Sequence, residues 1–299
     1  GGKVMNKSKD IGLILLIITV VMWGISFISI KISMDVFPPL SLAFYRFVIA
    51  SIILFPIMKY AAPKEKLLKK DIPLMATAGI IGITIYFFFE NNGILRISAS
   101  AASVIIAFMP VVAAFGEIFF LKKIPKLTAL LAVALSILGV YLVIGGDLSS
   151  EGSLLGYLYM LGAAISFSIY LIITKPLFDT YSDVTVSFYQ SLFGCLAFIP
   201  FLGFEKVSWS QINPEISIHF IFLAVFCSGI ATYFYMFALN NLGVTISAVF
   251  MNLIPVVTFI ASYFWYEEIP SSIQLLGAVI VIISVSIVTL SEKSKEINN

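Results

Sequence analysis

PVVAAFGEIFFLKKIP, Pro110 to Pro125, returns 145 residues later as PVVTFIASYFWYEEIP, Pro255 to Pro270. Both open on Pro-Val-Val and close on Ile-Pro, and the doublet before the close changes sign, from Lys122-Lys123 to Glu267-Glu268. Upstream, at an offset of 144, Phe44-Tyr45-Arg46 falls on Phe188-Tyr189-Gln190, Lys31 on Lys175 and Pro56 on Pro200. One residue inserted between the second and third helices of each copy accounts for the change of offset. A single apolar match arises by chance, but prolines in register over so long a stretch indicate an internal repeat.

What is repeated is membrane helix. The 299 residues are 60% hydrophobic and 11% charged, with a mean hydropathy of +1.07, whereas soluble domains carry roughly a quarter charged residues. A span needs about 20 mostly apolar residues. Breaks at charges, prolines and Asn/Gly clusters give ten candidate helices, near 11–31, 38–59, 72–93, 99–120, 127–145, 153–174, 184–203, 217–239, 245–266 and 271–290. The cut between the eighth and ninth is the hardest, because Ile216 to Tyr266 holds no Asp, Glu, Lys or Arg. Asn240-Asn241-Leu242-Gly243 is the turn signal inside it. The N-terminal apolar run, Ile11 to Ile30, is too long for a signal-peptide core and reads as the first span.

Two five-helix repeats follow, 11–145 and 153–290. Five is odd, so the second copy must enter the bilayer inverted. With the N-terminus inside, 14 of the 18 Lys and Arg residues fall in cytoplasmic segments, which satisfies the positive-inside rule. Only Lys31, Arg96 and Lys206 fall outside, and Arg46 lies within a span. The exchange of KKIP for EEIP is the same bias written at matching places. An all-α membrane protein of ten helices, two inverted repeats and cytoplasmic termini is expected, and inverted repeats mark secondary transporters with a site near the midplane.

Particular words then carry a resemblance. VMWGISFISIK (Val21 to Lys31), LAFYRFVIASIILFP (Leu42 to Pro56), PVVAAFGEIFF (Pro110 to Phe120) and the stretch from Ala238 to Val285 resemble the EamA-type branch of the drug/metabolite transporter superfamily over residues 11 to 290. The resemblance implies a ten-helix transporter of the bacterial inner membrane, exporting amino acids and other small metabolites through a central cavity. It departs in the first repeat, where Lys122 and Lys123 replace the family's acidic residue, and Glu117 is not at the matching place, so no family role is given to it.

Three strongly ionisable residues lie within the spans: Arg46, Glu90 and Glu117. Charge at the bilayer centre costs about 2.5–3.5 kcal/mol on insertion scales, so such groups face protein or water. Glu117 reads as interfacial, near Lys122. Arg46 lies about 12 Å deep at 1.5 Å per residue, and its place in the resemblance favours a structural role. Glu90, the acid within FFFENNG (Phe87 to Gly93), shares a face with Gly79, Gly82, Ile83, Tyr86 and Gly93, a small-residue stripe that points into the bundle. Asn91, Asn92 and Gly93 read as the end of that helix. Either Glu90 pairs with Arg46 as an outer latch, or it faces the cavity and takes a proton or a substrate ammonium. The repeat maps Glu90 onto Tyr235 and Arg46 onto Gln190, so the inner side carries a neutral pair in the same gate or coupling position. Trp23, Tyr86, Ser103, Phe108, Tyr170, Tyr233 and Asn252 complete the expected substrate-binding wall, from the helices that surround the cavity in the resembled fold, with aromatic faces suited to ammonium groups. Pro110 and Pro255 are expected to kink their helices.

Other chemistries lack their residues. Cys195 and Cys227 lie within spans and read as small core residues. His219, the one histidine, reads as a solvated interfacial side chain with no cluster for a metal. No nucleotide loop or nucleophile motif is present, so an enzyme, a cofactor and a nucleic-acid partner are not expected. The partners expected are a small-molecule substrate, the lipid bilayer and protons, with the driving force a gradient and a monomer sufficient. Rival readings are an uncoupled exchanger or uniporter and a non-transporting membrane sensor or assembly protein.

Overall fold

A computed structural model of the chain describes residues 2–109, 112, 127–144, 153–267 and 269–297. Pro110, Glu117, Lys122, Lys123 and Glu268 lie outside them. Among the described residues there is no strand. The helices are α1 (Gly2–Ser33), α2 (Pro39–Ala61), α3 (Ile72–Gly79), α4 (Tyr86–Arg96), α5 (Ala99–Ile106), α6 (Leu127–Ile144), α7 (Ser153–Thr174), α8 (Asp183–Phe198), α9 (Pro214–Ile221), α10 (Ala231–Met251), α11 (Ile254–Tyr266) and α12 (Ser272–Ile297). Among the described residues, six stretches are long and apolar enough to cross a membrane: Ser8–Ser33, Pro39–Ala61, Lys69–Arg96, Leu154–Asp179, Asp183–Phe204 and Pro214–Leu242. Shorter apolar helices, Ile254–Tyr266 and Ser272–Ser284, accompany them. The outer faces are apolar, with Ile14 57% exposed and Ile52 66%. Water would not tolerate that belt, whereas hydrocarbon favours it.

Small polar side chains and glycines hold the seams between repeats. On one side, α1 packs on the span of α10, where the Thr19 hydroxyl donates to the Ala231 carbonyl (3.4 Å) and the Cys227 thiol to that of Met22 (3.5 Å). On the other, the equivalent pair brings the span of α3 and α4 against α7, where the Ser166 hydroxyl donates to the Ile81 carbonyl (2.5 Å). A Cβ on Gly139 of α6 would meet the Gly277 carbonyl of α12 at 2.9 Å. A Cβ on Gly79 would meet the Gln190 carbonyl of α8 at 2.6 Å, and one on Gly194 of α8 the Gly79 carbonyl at 2.8 Å. Such backbone approach is what small residues permit between membrane helices.

The second helices of the two repeats, α2 and α8, run antiparallel. Glu205, in the loop after the span of α8, reaches the start of α2 and accepts from Leu40 N (3.0 Å), Ser41 N (2.7 Å) and the Ser41 hydroxyl (2.8 Å). Glu65, in the loop after α2, reaches the start of α8 and accepts from Ser182 N (3.0 Å) and the Ser182 hydroxyl (2.9 Å). Each repeat therefore supplies the carboxylate that satisfies the orphan N–H groups of the other's helix.

The repeat extends to backbone irregularities. A π segment, Ile80–Ile85, joins α3 to α4, and another, Phe222–Ile230, joins α9 to α10. They end at residues 145 apart. The turn at Ala107-Phe108 after α5 likewise matches the turn at Asn252-Leu253 between α10 and α11.

Two expected boundaries are corrected. Asn240 to Gly243 is not a turn, since α10 runs through it to Met251. The Asn241 amide donates back to the Phe237 carbonyl (2.8 Å) and that of Asn240 to the Asp183 carboxylate (2.7 Å), so both are satisfied inside the helix. The break is set instead by Pro255, which stands in the first turn of α11 and, with no N–H and its ring against the carbonyl four residues back, ends the ladder of α10 at Met251. Asn91, Asn92 and Gly93 likewise do not end their helix. Asn92 bonds back to the Phe88 carbonyl (2.8 Å), Asn91 donates across to the Pro39 carbonyl (2.8 Å), and α4 continues to Arg96.

Candidate functional site

A cavity lies at the seam of the two repeats. α1, α2, α4, the two π segments, α5, α7, α10 and α11 all contribute to its wall. The turns at 107–108 and 252–253 border it through Ile106, Met251 and Ile254, and the π segments deliver Gly82, Ile83 and Cys227. Irregular backbone inside a membrane protein is found where it is buried in protein or lines a cavity. Both copies of it lie here.

One side of the wall is a run of aromatic rings. Trp23 packs on Tyr235 at 5.0 Å between centroids, Tyr235 on Phe167 at 6.0 Å, and Phe167 on Tyr86 at 5.3 Å and Tyr170 at 5.5 Å. The Trp23 indole N–H donates to the Cys227 carbonyl (3.1 Å), fixing its ring across the α1 seam. The Tyr170 hydroxyl donates to the Gln190 side-chain oxygen (2.7 Å). Gly82 leaves the space that the Tyr170 ring fills.

The charged residues lie against this wall. Arg46, 2% exposed, donates through Nε to the Ser228 hydroxyl (2.9 Å), while its guanidinium carbon stands 4.7 Å from the centroid of Phe87. Its Nη1 is buried without a partner. Glu90, 4% exposed, accepts from the Tyr86 hydroxyl (2.6 Å) one helical turn earlier. No ion pair joins Arg46 to Glu90, so the outer latch expected between them is not formed. Its counterpart is not formed either: Gln190 is taken by Tyr170 and by the Thr174 hydroxyl (3.0 Å), and the Tyr235 hydroxyl is buried without a partner.

The structure thus brings Trp23, Tyr86, Glu90, Tyr170, Arg46 and Tyr235 to one cavity. It does not bring Ser103, Phe108, Tyr233, Asn252 or Gln190 to its wall. The Ser103 hydroxyl turns back onto the Ser100 carbonyl (2.7 Å). Tyr233 packs toward Leu54, Met58 and Phe188 between α2 and α8. Phe108 and Asn252 occupy the two turns, and the Asn252 amide is buried without partners. His219 is not solvated: it is 7% exposed, hydrogen-bonded through Nδ1 to Ser29 (2.9 Å), with its ring 6.0 Å from Trp265.

Several wall residues escape a reading by residue type. Phe167 was accessible through the repeat, since it stands 144 residues after Trp23. Cys227 and Ser228 stand 145 residues after Gly82 and Ile83 of the inward face, although by residue type a thiol and a hydroxyl in an apolar span are ordinary packing residues.

The model of the EamA-like transporter family matches the chain twice, over residues 10–145 and 154–290. A transporter of Archaeoglobus fulgidus, itself uncharacterized, is 27% identical over 285 residues, covering 93% of this chain and 97% of its own. YdfC, an uncharacterized transporter of Bacillus subtilis, is 27% identical over 266 residues, 87% of this chain and 85% of its own. A probable terminal-alkyne amino-acid exporter of Streptantibioticus cattleyicolor is 26% identical over 277 residues, 91% of each. A solved crystal structure, 16% identical, aligns with a TM-score of 0.67 over 97% of this chain and 99% of that one, and shares the fold.

Proposed function

The chain belongs to the EamA-like transporter family, and on that premise we propose that it is a secondary-active exporter of small metabolites, amino acids or related zwitterions and amines. In this reading it spans the bacterial inner membrane with ten helices, as two inverted repeats with cytoplasmic termini, and works by alternating access around the cavity. The observation that carries the reading is the pair of buried charges, Arg46 and Glu90, held on the cavity wall by Ser228 and Tyr86 rather than by each other. Ionisable groups kept at depth without a contact ion pair between them suit a wall that meets a polar solute, since lipid would penalise them. The amino-acid exporter among the relatives supports the same class of solute.

Alternating access also needs contacts that are made in one state and broken in another. Glu65 with Ser182 and Glu205 with Ser41 have the right placement, one at each end of the antiparallel α2–α8 pair. We assign them as the inner and outer latches.

Flux in proteoliposomes tests the reading. Vesicles loaded with labelled amino acids or amines are expected to release them faster when a proton gradient is imposed than without one. Equal rates in both conditions identify an uncoupled exchanger or uniporter. No movement of any solute in the panel leaves the membrane sensor or assembly protein as the better reading.

A further inference from the structure

Among the described residues, ten buried side-chain nitrogen or oxygen atoms have no hydrogen-bond partner. Only Arg46 Nη1 and the Tyr235 hydroxyl belong to side chains that line the cavity. The two come from different repeats, on α2 and α10, and both can donate. An unsatisfied buried donor is costly, and a buried guanidinium without an anion more so. Elsewhere the fold satisfies its cavity groups: Tyr170 has Gln190, Trp23 has the Cys227 carbonyl, and Arg46 Nε has Ser228. What the two atoms have in common is the need for an acceptor, and on Arg46 the acceptor that fits is an anion.

We propose that Arg46 and Tyr235 form a carboxylate subsite, so that the solute binds by a carboxylate at these two donors and by an ammonium at Glu90. Glu90 is suited to the second role because one of its oxygens accepts from Tyr86 and the other makes no hydrogen bond. The wall then carries one guanidinium and one carboxyl group, and the solute that matches both is a zwitterion. A simple amine satisfies Glu90 but leaves Arg46 unmatched, and a simple acid does the reverse. The inference rests on the transport reading in taking the cavity as the solute's route, and it narrows that reading by removing amines. It also gives Arg46 a role in recognition beyond the structural one.

Two sets of ligands that differ by one charged group provide the test: phenylalanine, phenethylamine and hydrocinnamate, and leucine, isoamylamine and isocaproate. The readout is the rise in melting temperature of the purified protein, since a ligand that binds the folded state raises its apparent stability. The zwitterion of at least one set is expected to stabilise the protein at concentrations at which its amine and its acid do not. Tyr235→Phe removes a hydroxyl that the fold does not use, so the unliganded melting temperature should be unchanged. Its affinity for the zwitterion should fall about ten- to a hundred-fold, the effect of one hydrogen bond to a charged group. Arg46→Lys, which keeps the charge but not the fork, should weaken the zwitterion as well.

An amine that matches its zwitterion in the wild type overturns the proposal, as does a Tyr235→Phe protein that binds the zwitterion unchanged. So does the failure of every zwitterion to bind. Any of these, combined with gradient-driven flux of a solute in proteoliposomes, rejects the carboxylate subsite while leaving the transport reading intact. Absence of flux for every solute rejects the transport reading itself.

Discussion

Glu205→Gln is expected to make Cys227 react about ten times faster with a membrane-impermeant maleimide added from outside the cell. Cys227 is a free, buried thiol on the cavity wall, so a reagent reaches it only when one end of the cavity is open. Glu205 holds the start of α2 with three acceptor contacts, from Leu40 N, Ser41 N and the Ser41 hydroxyl. Glutamine replaces one acceptor oxygen with a donor that faces those N–H groups and removes the charge that favours a helix N-terminus. Losing a hydrogen bond to a charged group costs about 1.5–3 kcal/mol. Glu205 is half-buried, and the lower end of that range, about 1.5 kcal/mol, is roughly a factor of ten in the open population. Glu65→Gln should give the same increase from the cytoplasmic side, in inside-out vesicles, through Ser182. Cys195 is buried between α2 and α8 rather than on the cavity wall, so the measurement is made in a Cys195→Ser background. Unchanged labelling in both variants would remove the latch assignment. The reverse sidedness would keep the latches and invert the orientation of the chain.

Gly79→Ala should be strongly destabilising, more so than an added methyl that meets only side chains. Its Cβ would stand 2.6 Å from the Gln190 carbonyl oxygen and 3.0 Å from the Gln190 Cα. Both are backbone atoms, so no rotamer change relieves the clash and α3 must move away from α8. Overpacking of this kind costs about 1–3 kcal/mol. Gln190 is also the acceptor for Tyr170, so the displacement carries into the cavity wall. A melting temperature several degrees below wild type in detergent is expected, together with lost flux. Gly203→Ala is the control, because a Cβ there meets nothing within 4 Å, and it should shift the melting temperature little. Equal stability of the two variants would mean that the α3–α8 approach is looser than the structure has it.

Residue patterns went far toward this fold wherever the physics was local. Charges and prolines at the membrane edges marked α1, α2, α7 and the start of α8, and the 144–145 offset exposed the repeat. The pattern misled where asparagine was taken as a turn former. In α4 and α10 the Asn92 and Asn241 amides bond to carbonyls four residues back, and the helix absorbs them. The real break before α11 is imposed by Pro255, which cannot bond to the Met251 carbonyl, and a proline ten residues inside the expected helix signals it better than the Asn pair at 240–241.

The candidate site divides in the same way. Trp23, Tyr86, Glu90 and Tyr170 were legible because polar or aromatic groups at depth on an inward face have few other places to go. The separation of Arg46 from Glu90 was not legible, since it depends on Ser228, 182 residues away. Nor was the turning of Tyr233 toward α2 and α8, which depends on the rotation of a helix that a π segment has underwound.

The exchange of carboxylates between the second helices bears on how such a chain came to be and how it can be taken apart. Each half carries a cap fitted to the other, and α1, α4, α6 and α8 all bury their contact faces against helices of the other half. A half on its own is a protomer lacking its mate, and an ancestral single copy would have completed itself by dimerising head to tail in opposite orientations. Within the one chain the two copies differ at matching places, Gln190 standing where the first repeat has Arg46 and Tyr235 where it has Glu90. The two halves, expressed as separate chains, should therefore copurify from the membrane as a one-to-one complex, and either half expressed alone should be recovered in far lower yield.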